Sequence, residues 1–79
     1  MRNGTLVRPA TPHCYLYDRP VAFREYIAYG NYKNKFEGVG VIVGREETDP
    51  GEFVASTWLK IVSSSGVGWV KFKELDEAQ

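Results

Sequence analysis

Trp58-Leu59-Lys60-Ile61-Val62, then Ser63-Ser64-Ser65-Gly66, then Val67-Gly68-Trp69-Val70-Lys71-Phe72 is the stretch that decides how this chain is read. Two runs rich in β-branched and aromatic residues flank a cluster of serine and glycine. That pattern predicts two short strands joined by a tight turn, with one tryptophan on each strand. Lys71 and Lys73 alternate with Phe72, which predicts a solvated face opposite a buried one. Lys73-Glu74-Leu75 reads as a final helical turn or a short closing strand, and Asp76-Glu77-Ala78-Gln79 as a polar tail that frays.

Upstream, Gly38-Val39-Gly40-Val41-Ile42-Val43-Gly44 is a strong strand whose glycines predict a bulge or sharp bend. The same glycines also suggest a phosphate-binding loop. The β-branched residues between them, with no helix to follow, favour a bulged strand. Arg45 to Glu52 is charged and contains Pro50-Gly51, so it reads as a turn or exposed loop. Phe53-Val54-Ala55 can begin the strand that runs through Val62. Near the N-terminus, Thr5-Leu6-Val7-Arg8 and Cys14-Tyr15-Leu16-Tyr17 are β-prone pieces bounded by prolines. Residues 21–29 fit a helix capped by Asp18, a strand or a loop. Asn31 to Lys35 reads as a polar loop.

About five short strands in 79 residues predict a single, mostly β domain, a small barrel or sandwich, with a long insert at about 18–36. A chain of this size buries only about 60–65% of its unfolded surface, so its stability is modest. Cys14 and His13 are the lone cysteine and histidine. No intrachain disulfide can form, and no metal cage or cofactor is expected. Packing therefore falls to two Trp, five Tyr and four Phe, with weak self-association as a further resource.

Ten basic and ten acidic side chains cancel, which weakens the case for nonspecific nucleic-acid binding. No run of about 20 apolar residues suggests a membrane span, and no apolar leader suggests secretion. A cytoplasmic location is the expectation.

Trp58-x-Lys60-Ile61, Gly68-Trp69-Val70 eleven residues after the first tryptophan, and Leu75 six further on together resemble the bacterial branch of the Src-homology-3-like (SH3-like) barrels. The likeness covers Trp58 to Leu75, with Val39–Val43 and Thr5–Val7 fitting earlier strands. It implies a five-stranded SH3-like barrel. Tyr15-Leu16-Tyr17-Asp18 is similar to the start of the peptide-binding members. The acidic loop, adjacent tryptophan pair and Pro-x-x-Tyr of their ligand groove are missing, which puts the carry-over of proline-rich peptide binding in doubt. The insert Asn34-Lys35-Phe36-Glu37-Gly38-Val39-Gly40-Val41 in a standalone barrel also looks like small uncharacterised bacteriophage proteins, which implies a host-cytoplasmic setting.

Among chemical motifs, His13-Cys14 is a poor catalytic dyad, because strand neighbours point to opposite faces. Glu46, Glu47, Asp49 and Glu52 do not follow calcium-loop spacing. The chain reads as a non-enzymatic binding module. Tyr17, Phe23, Arg24, Tyr26, Tyr29, Tyr32, Lys33 and Lys35 interleave aromatic and basic side chains. Such residues suit a protein interface, and after that a single-stranded nucleic-acid site. The expectation is a protein–protein adaptor with an unnamed protein partner. Trp58 and Trp69 are expected mainly to pack.

Overall fold

The computed structural model describes residues 1–20, 32–47 and 57–78. These form one curled antiparallel sheet of seven strands: β1 (Leu6–Pro9), β2 (Tyr15–Tyr17), β3 (Tyr32–Lys35), β4 (Gly40–Glu47), β5 (Thr57–Ser63), β6 (Gly66–Lys71) and β7 (Leu75–Glu77). Their order is β3-β2-β6-β5-β4-β1-β7. A 3₁₀ turn, Phe72–Glu74, links β6 to β7.

The β5–β6 hairpin is the centre of the sheet. Its register is unbroken from Trp58 opposite Lys71 to Ser63 opposite Gly66. Ser64 and Ser65 turn the chain, and the positive φ this tight turn needs is supplied by Gly66, at +126°. The Ser63 hydroxyl donates to the Gly66 carbonyl (3.1 Å) and accepts from the Ser65 N–H (3.2 Å). Ser65 in turn exchanges hydrogen bonds with the Glu37 backbone, and Asn34 Nδ2 donates to the Ser65 carbonyl at 3.2 Å. The hairpin tip is thus tied to the link between β3 and β4.

Two apolar clusters lie on opposite faces of the sheet. On the inner face Val7, Leu16, Ile42, Leu59, Ile61 and Val70 pack with Phe36, Cys14 and Leu75. Burying each large side chain of this kind contributes about 1.5–3 kcal/mol. On the outer face Tyr17 and Trp58 are buried, with Tyr15 and Trp69 packed against them.

Several expectations meet a different outcome. The sheet has seven strands where five were counted. Within the stretch Asn31 to Lys35, read as a loop, Tyr32–Lys35 forms β3, which ends the sheet among the described residues; a strand in that place can be polar in sequence. Arg45 to Glu47 extends β4 instead of turning away, opposite Leu59 to Thr57. Asp76 and Glu77 do not fray: they pair with Arg8 and Val7, and the Ala78 N–H reaches the Leu6 carbonyl at 2.9 Å. Both alternatives for Lys73-Glu74-Leu75 are realised, a 3₁₀ turn followed by a strand. The expected bulge falls between Ile42 and Gly44. The readings of residues 21–29 and of Phe53-Val54-Ala55 lie outside the described residues.

Gly68 is where β6 meets β2. A Cβ there would lie 2.7 Å from Leu16 Cβ and 3.0 Å from the Tyr17 carbonyl oxygen, so one of the two strands would have to move. Gly68→Ala is expected to cost about 1–3 kcal/mol, the range for overpacking a core, measured by urea unfolding. Gly38→Ala, where a Cβ meets nothing within 4 Å but φ is +77°, is expected to cost about 1 kcal/mol. An equal or smaller loss at Gly68 would mean that β2 is not seated as described.

Candidate functional site

The outer face is built in rows, because residues in register on antiparallel strands share a face. One row places Tyr17 beside Trp69, Trp69 beside Lys60, and Lys60 beside Gly44. A Cβ on Gly44 would meet Lys60 Cβ at 3.3 Å and Trp69 Cη2 at 3.9 Å. The Trp69 ring therefore extends across β5 toward β4, and Gly44 leaves room for it. A neighbouring row pairs Lys71 with Trp58 and Trp58 with Glu46. Tyr15 and Lys35 are partners at the β2–β3 end of the same face.

The Tyr17 ring meets Trp58 edge-on, with centroids 5.4 Å apart and planes at 81°. Such a pair adds about 0.5–1.5 kcal/mol beyond its buried area. The Lys71 ammonium sits 5.7 Å from the Trp58 ring centroid, within cation–π range. Lys71 is only 8% exposed. Burial pulls its pKa down, Lys73 adds to that, and Glu74 opposes it. Glu74 is pushed up by burial against the lowering influence of Lys71 and Lys73. The sequence placed Lys71 on a solvated face and Phe72 inside, and the structure reverses them. Lys71 lies on the tryptophan face, whereas Phe72 begins the 3₁₀ turn and is 45% exposed, because the turn resets the two-residue alternation. Trp58 Nε1 is buried with no hydrogen-bond partner among the described residues.

A third row lies beside these and is open. Leu6 pairs with Val41, Val41 with Val62, and Val62 with Val67. Leu6, Val62 and Val67 are 48%, 43% and 44% exposed, so a continuous apolar band crosses four strands. Val43, left unpaired by the bulge, is also exposed.

The candidate contact residues are distributed unevenly. Tyr17 is 4% exposed and is used in packing against Trp58. Tyr32 and Lys33 lie on β3, with Tyr32 in register with Tyr17. Lys35 is exposed and pairs with Glu37 at 3.7 Å, a surface contact worth about 0–1 kcal/mol. Phe23, Arg24, Tyr26 and Tyr29 lie outside the described residues. The open valine row was not anticipated. Its signal is the alternation Val39-Gly40-Val41-Ile42-Val43, which the sequence reading assigns to a bulged strand without saying which face is buried.

No group of three or more His, Cys, Asp or Glu among the described residues could hold a metal ion, and none of the described helical segments is long and apolar enough to cross a membrane. Comparison with family models, with curated proteins and with solved structures gives no match to this chain.

His13 is exposed while Cys14 is fully buried, so the adjacent pair is split between solvent and core. Burial, with Glu74 adding to it, pushes the Cys14 thiol up to about 12. A thiol held protonated in this way is a weak nucleophile. Because the folded state keeps this proton longer than the unfolded chain does, Cys14 contributes stability that is complete below about pH 9 and is lost as pH rises toward 12. The stability advantage of wild type over Cys14→Ala is therefore expected to shrink across that window, by at most about 1.4 kcal/mol per pH unit. Urea unfolding of both proteins from pH 8 to 11 checks it; a constant difference would mean that the thiol is not so held.

Proposed function

We propose that this chain is a non-enzymatic binding module, a protein–protein adaptor that engages its partner through the outer face of the sheet. The observation that carries this reading is the exposed row Leu6–Val41–Val62–Val67. Apolar side chains scattered singly over a surface need no explanation, whereas a contiguous band across four strands is the kind of patch that marks an interface. Trp69, half-buried on the adjacent row, supplies an aromatic anchor of the kind that interfaces favour. In this proposal the sheet is a small SH3-like barrel of the bacteriophage type, and the likeness of the β5–β6 hairpin to such barrels agrees with a binding role. The buried, protonated Cys14 suits a reducing compartment such as the cytoplasm.

Val62→Lys/Val67→Lys is expected to fold, because both positions are half-exposed strand sites where β-branching is the main loss. Its melting temperature is expected to stay within a few degrees of wild type. In a pull-down from native-host lysate, the protein retained by wild type is expected to be lost with this variant and kept with Ser64→Ala. Retention of the same protein by the double variant would remove the reading.

A second reading rests on two lysines in register with aromatic residues on the same face, Lys60 with Trp69 and Lys35 with Tyr15. Rings beside cations are what single-stranded nucleic acid uses. It predicts binding of a labelled oligonucleotide that weakens steeply with salt. A flat titration at low salt excludes it.

A further inference from the structure

Among the described residues, β3 and β7 end the sheet, and the sequences of these two end strands are opposite in charge, Lys33 and Lys35 against Asp76 and Glu77. On β7 the Ala78 N–H reaches the Leu6 carbonyl, and the Glu74 carbonyl accepts from the Ala10 N–H. Even-numbered backbone groups therefore face β1. By strand alternation, those of Leu75 and Glu77 face away from the sheet. On β3 the Phe36 N–H reaches the Cys14 carbonyl, so the backbone groups of Lys35 face away. Asp76 and Glu77 are exposed on one edge; on the other, Lys35 is exposed beside its surface pair with Glu37, on the strand whose sequence also holds Lys33.

We propose that the β7 edge of one copy pairs antiparallel with the β3 edge of a second copy, with Glu77 against the Lys33–Lys35 strand. Three features support this occupant. Pairing like edges would set Glu77 against acidic residues or Lys35 against lysines, which is unfavourable in a directly opposed pair. The two ends of an odd-numbered antiparallel sheet run the same way, so an antiparallel join turns the second copy over. That brings Lys35, on the outer face with Tyr15, to the same side as Glu77, which is in register with inward-facing Val7. Charged edges also oppose indiscriminate pairing, so the contact is selective for the complementary edge. With only three or four residues a side the contact is weak, and it is sensitive to salt.

The test is sedimentation velocity of the full chain over a concentration series at low and high salt. Lys33→Glu/Lys35→Glu and Asp76→Lys/Glu77→Lys are run separately and mixed. Wild type is expected to gain mass with concentration and to lose that gain in high salt. Each variant alone is expected to associate roughly tenfold or more weakly. Mixing the two restores association, because each then offers the edge that the other lacks, and restoration also shows that both variants fold. A wild-type chain that stays monomeric throughout overturns the proposal, as does association that both variants retain. A monomer that instead binds a synthetic Tyr-Lys-Asn-Lys peptide through the Asp76–Glu77 edge assigns that edge to a different chain, and equally overturns the second-copy reading.

Discussion

The approach of β2 to β6 at Gly68 is the contact on which the rest of the structure depends. Leu16 Cβ lies where a Cβ of residue 68 would stand. With glycine there, β2 can sit against the hairpin, Leu16 enters the inner core, and Tyr17 falls opposite Trp69 on the outer face. The join also carries β3, which among the described residues reaches the sheet through β2. A similar accommodation occurs at Gly40, where an added Cβ would collide with Ile61 and press on Phe36 at 3.2 Å. Two glycines thus let large side chains from neighbouring elements close the core of a chain that has few residues to spend on one.

Both faces of the central hairpin are engaged. Leu59 and Ile61 face inward, and Trp58 faces outward yet is also buried. The second cluster brings polar groups under cover with it: the Lys71 ammonium over Trp58, and an indole N–H without a partner among the described residues. Removing an ammonium from water is unfavourable, and the ring face and Glu74 offset part of that cost.

Much of this was legible from the chain. The hairpin, its serine turn, β1, β2 and the bulged β4 follow from alternation, glycine placement and β-branched runs. The edge strands were legible only at Leu75, where a short closing strand was one of two alternatives. Asn34 and Lys35 on β3, and Asp76 and Glu77 on β7, are exposed, so neither piece carries the apolar alternation by which a strand is recognised. The exchange of Lys71 and Phe72 was hidden for another reason. A period of two extends only while the strand does, and the 3₁₀ turn begins at Phe72.

The open valine row follows from the same arithmetic. Alternation states that Val39, Val41 and Val43 share one set of orientations and Gly40 and Ile42 the other, but not which set faces the core. Hydrophobicity alone assigns the valines inward. The close approach of Ile61 and Phe36 demands a residue without a side chain at the inward position, and only Gly40 can meet it. Once Gly40 faces in, Val41 must face out, and the register carries that choice across β5 and β6 to Val62 and Val67. The exposed band is therefore a direct consequence of how the core closes. A partner that covers it would complete the outer face beside Trp69 and Lys60 without disturbing any contact that holds the sheet together.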